Sequence, residues 1–156
     1  MRRARCSMTI AALMAMAGAV AAGPLEDGQA AYAHNDYAAA LQIWRPLADQ
    51  GISDAQTDLG LMYYFGQGAP QSYAEAVKWT RKAADQGNAY AQNNLGAMYE
   101  IGQGVTQDYV LAHMWVDLAA AQGLQLGSKN RDLVAAKMTP AQIAEAQGLA
   151  REWKPK

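Results

Sequence analysis

One cysteine, one phenylalanine and two histidines in 156 residues remove several classes of protein at the outset. Cys6 stands in the basic start of the chain, ahead of the apolar run rather than behind it, so neither a disulfide framework nor a lipoprotein cysteine is expected. His34 and His113 lie far apart in sequence, and neither an H-E-x-x-H pattern nor a Cys/His cluster accompanies them. A zinc site or a histidine-based triad therefore lacks its ligand set, and no metal and no cofactor are expected. Thirteen Lys and Arg stand against fourteen Asp and Glu with no basic stripe, which argues against nucleic acid as a partner. The longest apolar run, Met8 to Ala22, has 15 residues. That is short of the roughly 20 that cross a bilayer as a helix.

What is present begins with that run. Arg2, Arg3 and Arg5 precede it, and Val20, Ala21 and Ala22 lead into Gly23-Pro24. Residues 1–22 therefore read as a secretory signal peptide. Its removal takes away three positive charges, shifts the net charge from −1 to −4 and leaves residues 23–156 as one domain. The expected location is the periplasm or the exterior, with no stable membrane insertion after cleavage. A composition rich in alanine, 51% hydrophobic but with a single Phe, favours close helix packing and an all-α fold.

A period of 36 residues organises the rest. Tyr37/Tyr73/Tyr109, Ala40/Ala76/Ala112 and Gly51/Gly87/Gly123 share it, as do Gln50/Gln86/Gln122 and Ile43/Trp79/Trp115. Leu59-Gly60 and Leu95-Gly96, Tyr63 and Tyr99, and Gly66-Gln67-Gly68 and Gly102-Gln103-Gly104 repeat in the other half of the unit. A fixed period of this size points to a stack of like units, each burying the same surface against its neighbour. Each unit splits into two helices. Ser53-x-x-Gln56 and Ser72-x-x-Glu75 have the form of capping boxes, Asn88 and Asp108 are caps in the second copy, and Gly66 and Gly87 are stops. Gly60 and Ala76 remove bulk where two axes approach, so each unit is an antiparallel hairpin of a helix A and a helix B. The ends depart from the pattern. Asn35 and Asp36 form a tighter first turn; a helix is expected over about Ser128 to Lys137, and Thr139-Pro140-Ala141-Gln142 opens the last one. The expectation is eight helices in four antiparallel pairs.

The segments reading AxxxLGxMYxxGxG and SYxEAVKWxRKAADQGN, from Asp54 to Asn88, resemble the Sel-one-like repeat (SLR), a relative of the tetratricopeptide repeat; residues 89–123 match as well. The resemblance implies an α-α superhelix of hairpins at residues 28–51, 52–87, 88–123 and, as a divergent cap, 124–156. It also implies a protein or peptide as partner. Leu59, Gly60, Tyr63, Gly66, Gly68, Ala76, Trp79 and Gly87, with Leu95, Gly96, Tyr99, Gly102, Gly104, Ala112, Trp115 and Gly123, are the structural signature. By analogy with the tetratricopeptide register, Thr57, Leu61 and Tyr64 of one repeat and Asn93, Ala97 and Glu100 of the next line a concave helix A face, with Phe65 and Ile101 beside them. Asn93 suits a peptide backbone, and Tyr64 and Leu61 offer apolar contact.

No catalytic residue is assigned. His113 takes the phase of Val77 and Leu41 and reads as a structural histidine. The leading expectation is a monomeric, non-enzymatic exported adaptor. The alternative is an envelope hydrolase or cell-wall carbohydrate-binding protein using carboxylates such as Asp58 and Glu100 in the same trough.

Overall fold

Eight α-helices and no strand make up residues 23–156, the part of the chain that the computed structural model describes. The expected signal peptide, residues 1–22, lies outside the described residues. The helices are α1 (Pro24–Ala33), α2 (Tyr37–Asp49), α3 (Ser53–Phe65), α4 (Tyr73–Asp85), α5 (Ala89–Ile101), α6 (Tyr109–Ala121), α7 (Gln125–Ala135) and α8 (Pro140–Glu152). Helices α1/α2, α3/α4 and α5/α6 pack as hairpins, and α2 on α3 and α4 on α5 join one hairpin to the next. This is the all-α solenoid that the period requires.

Local chemistry fixes most of the boundaries. Asp36, Ser72, Asn88 and Asp108 each accept a hydrogen bond from the backbone N–H three residues on, at 3.0 to 3.2 Å. Each satisfies one of the orphan donors of a first turn. Asn35 turns the first hairpin at φ 61°, and Gly66 and Gly102 end α3 and α5 at φ 67° and 77°. Thr139 and Gln142 form a full capping box on α8.

Two expected capping boxes are not formed. Helix α3 is capped by Ile52 without a side-chain bond, and Gln56 instead donates to the Ala48 carbonyl at 3.0 Å. Gln86 donates in turn to Gln56 at 2.8 Å. The next repeat copies the relay, Gln92 to the Ala84 carbonyl at 3.3 Å and Gln122 to Gln92 at 2.7 Å. The recurring glutamines thus tie the end of one hairpin to the start of the next. At α4, Ser72 caps as expected, but Glu75 turns to the Trp79 indole N–H at 3.2 Å.

Inter-helix approach depends on the absent side chains at Gly60 and Gly96. A Cβ on Gly96 would stand 2.6 Å from Val116 Cγ1 and 2.9 Å from the Ala112 carbonyl, and one on Gly60 would strike Thr80 Oγ1. Leu59, Met62 and Trp79 fill the core between the first two hairpins, joined by Trp44, which lies one residue past the expected Ile43 phase and is fully buried. Leu95, Met98 and Trp115 fill the next. Tyr63 and Tyr99 are partly buried against these cores, and their hydroxyls accept from Arg45, at 2.8 Å, and Arg81 respectively.

The last two helices correct the expected fourth hairpin. Helix α7 starts at Gln125, three residues before the expected Ser128, and packs on α6 and α5; α8 packs on α6 rather than on α7. The reason lies in Trp153, whose ring sits 6.1 Å from that of Trp115 and draws α8 across the helix B side. The chain then runs back until the Lys156 N–H donates to the Asp85 carbonyl at 2.8 Å.

Candidate functional site

Helices α1, α3, α5 and α7 are the A helices, and the side chains of the last three form the candidate site. Tyr64 donates its hydroxyl to Gln103 in the turn after α5. Asn130 on α7 donates to Asn93 on α5 at 2.7 Å, and Lys137, just beyond α7, forms an ion pair with Glu100. Ala97 packs with Val116 and Val134. Thr57 spends its hydroxyl on the Ser53 carbonyl of its own helix, 2.8 Å away.

Thr57, Leu61, Asn93, Ala97 and Glu100 are accordingly buried, and of the six expected groove residues only Tyr64 keeps part of its surface. On α5 the three expected positions are engaged from the last repeat, Asn93 by Asn130, Ala97 by Val134 and Glu100 by Lys137. The physical reason is that α7 lies against α5, so the face of α5 counted from Gly96 meets the next A helix. Phe65 and Ile101 differ. At 45% and 37% exposure they stand out at the same phase on the C-terminal ends of α3 and α5. The Phe65 ring meets Tyr64 edge-on at 5.0 Å.

One helical step from Thr57 and Asn93 lies a second polar series, of which the sequence singled out only Asp58. Asp58, Asn94 and Asn130 are spaced by 36 residues, and all three are buried. Asn94 accepts from Asn93 at 3.4 Å, which links this series to the Asn93–Asn130 bond. Asp58 is the odd member, a carboxyl where the other two copies hold amides. Burial pushes it from the ordinary value near 3.8 up to about 7, with a smaller push from the charge of Asp54. The 36-residue period carries this signal in the sequence, one residue beyond the positions that the tetratricopeptide register selects at Thr57 and Asn93.

Four other carboxylates, Glu75, Asp108, Asp54 and Glu100, have structural partners. Glu75 is held by Lys78 at 3.3 Å and by the Trp79 indole, Asp108 caps α6, and Asp54 accepts from the Asn88 side chain at 2.8 Å. Glu100 binds Lys137 through Oε1, while its Oε2 is buried without a hydrogen bond. Among the described residues no group of three or more His, Cys, Asp or Glu could hold a metal ion, and no helix is long and apolar enough to cross a membrane.

His113 is buried on α6 with Nδ1 unpaired, and burial lowers its pKa from the usual 6.5. Between the lowered value and 6.5 the unfolded chain binds the extra proton, so stability falls as the pH drops below 6.5. His113→Val puts at this phase the residue that the chain itself uses at Val77. It is expected to flatten that acid limb and to add about 1 kcal/mol by removing an unsatisfied buried nitrogen, read from denaturant melts at pH 7 and pH 5.

Comparison with known proteins agrees with this architecture. The Sel1 repeat family model matches residues 53–88 and 89–124, one residue from the boundaries expected from the period. An uncharacterized protein of Neisseria meningitidis serogroup B is 61% identical over 33 residues, 21% of this chain and 7% of that protein. Among solved structures, a protective antigen present in uropathogenic Escherichia coli strains and displaying an SLR fold superposes with a TM-score of 0.80 at 31% identity. That match covers 83% of this chain and 29% of the antigen. A Sel1 repeat protein from Oxalobacter formigenes gives a TM-score of 0.54 at 44% identity over 55% of this chain and 66% of its own. The chain thus spans only a small part of the first two of these relatives. Residues 53–124 are two Sel1 repeats, and the chain is a Sel1-repeat protein built on the all-α SLR solenoid.

Proposed function

We propose that the protein is exported by residues 1–22 and acts in the bacterial envelope as a non-enzymatic adaptor that seats a protein segment on its A helices. The observation that carries this reading is the exposed pair Phe65 and Ile101, two large apolar side chains at one phase on successive A helices. Phe65 stands beside Tyr64, and Asp58 and Asn94 lie seven residues before Phe65 and Ile101 on the same two helices. Membership in a repeat family whose proteins generally mediate protein–protein interactions supports it. An apolar rim next to polar groups suits a peptide chain, which brings apolar side chains and backbone donors and acceptors together.

The test is crosslinking capture from envelope extract with the protein purified from the same fraction, where its first residue is expected to be Gly23. Phe65→Ser with Ile101→Ser is expected to lose the captured partner while the melting temperature shifts by no more than about 2 °C, since both side chains are exposed. Equal capture by the double variant removes the assignment of this face. Turnover of cell-wall fragments that Glu100→Gln abolishes would replace the adaptor reading with the hydrolase alternative.

A further inference from the structure

We propose that Asp58 sets the specificity of the A-helix face, selecting a partner segment that carries a lysine or arginine side chain. The inference rests on the adaptor reading and goes beyond it by naming the chemistry of the partner.

The repeat itself supplies the comparison. At this phase Asn94 and Asn130 present amides, which both donate and accept, whereas a carboxylate only accepts. Replacing an amide by a carboxyl here exchanges a neutral group for one that asks for donors and positive charge. Nothing among the described residues meets that demand. Asp58 is 7% exposed and forms no ion pair, and the charged group acting on it most strongly is Asp54, of the same sign. From α1 the facing group is Tyr32, whose hydroxyl is already given to Gln67 at 2.7 Å. No cation of α2, α4 or α5 contributes at Asp58. A buried carboxylate left without a counter-ion is costly, and an incoming ammonium or guanidinium removes that cost through a charge-assisted bond.

A second observation points the same way. Glu100 on the next A helix has its Oε1 bound to Lys137 and its Oε2 buried without a hydrogen bond. On this face a buried carboxylate is thus met by a lysine at Glu100, whereas no cation among the described residues meets Asp58. An anionic ligand would add like charge, and an apolar helix would leave the Asp58 carboxylate unmet. A segment with a basic side chain supplies both donors and charge. Since Asp58 must be ionised to bind a cation, and its pKa is pushed up to about 7, capture strengthens between pH 6 and pH 8.

The experiment is selection from a random-sequence displayed peptide library on the purified protein at pH 8, in parallel on wild type and Asp58→Asn. Wild type is expected to enrich peptides with Lys or Arg at one fixed position. Changing that position to Gln should weaken binding about tenfold to wild type, and less than about threefold to Asp58→Asn. Equal basic content in both selections, or an equal effect of the Gln change on both proteins, overturns the inference while the adaptor reading stands. Enrichment of no peptide by wild type also overturns it, and takes the adaptor reading with it if capture through Phe65 and Ile101 fails as well.

Discussion

Asp58→Asn is expected to raise the free energy of unfolding at pH 8 by about 2–4 kcal/mol and to leave it nearly unchanged at pH 4. The sign follows from the direction of the shift. Burial raises the folded-state pKa of Asp58 to about 7 from an ordinary 3.8, so between those values the folded protein keeps a proton that the unfolded chain has released. Stability therefore falls as the pH rises through this window, and above it the native state holds a buried charge with no counter-ion among the described residues. An amide has no such charge to lose, and the same phase already carries Asn94 and Asn130 in the other repeats. Denaturant melts from pH 4 to pH 8 read the effect as two curves that meet in acid and separate toward neutrality. Curves that stay parallel throughout would place the carboxyl in a solvated setting. If the variant is both more stable and poorer at capturing basic segments, Asp58 trades fold stability for recognition.

Gly104→Ala is expected to destabilise the fold by about 3 kcal/mol or more, against about 1 kcal/mol for Gly123→Ala. Both glycines have positive φ, 72° and 88°, so both substitutions place a Cβ in a conformation that L residues rarely adopt. They differ in surroundings. A Cβ at position 123 meets nothing within 4 Å, whereas one at position 104 strikes the Tyr73 carbonyl at the start of α4 and lies 2.8 Å from Val77 Cγ2. A backbone carbonyl that opens a helix cannot swing aside as a long side chain can. Gly68 repeats the device one hairpin earlier, with the Tyr37 carbonyl 2.6 Å from its ideal Cβ. The second glycine of each turn thus serves the contact between successive hairpins as well as the turn itself. Chemical denaturation of the two single variants checks the difference, and equal losses would show that backbone conformation alone accounts for the glycine.

Much of this was legible because a repeat states its constraints more than once. The 36-residue spacing of Tyr37/Tyr73/Tyr109 and Gly51/Gly87/Gly123 located the hairpins, and Asn35, Asp36, Asn88, Asp108 and Thr139 gave their caps. Reading failed where one residue type has two uses. Gln56 follows Ser53 at capping-box spacing, yet the bond available to it across the hairpin junction, to the buried Ala48 carbonyl, meets a need that solvent cannot. The tail failed for another reason. A single Trp153 settling against Trp115 decides where α8 goes, and no repeat copy exists to announce it. For the candidate site, counting from Gly60 and Gly96 selected Tyr64, Asn93, Ala97 and Glu100, which the turn after α5, α7 and Lys137 engage, and the register alone does not show those partners. Asp58 was visible as a carboxylate. That no cation among the described residues pairs with it is a property of the assembled helices.

The adaptor account is tested most directly by placing a photo-activated crosslinker at Phe65 and, as a control, at Lys82, an exposed position on the B-helix side. Irradiation in cells is expected to join one protein to position 65 and nothing above background to position 82. The crosslinked segment is expected to contain a Lys or Arg. Crosslinking at position 82 alone, or the same products from both positions, would contradict a partner seated on the A helices.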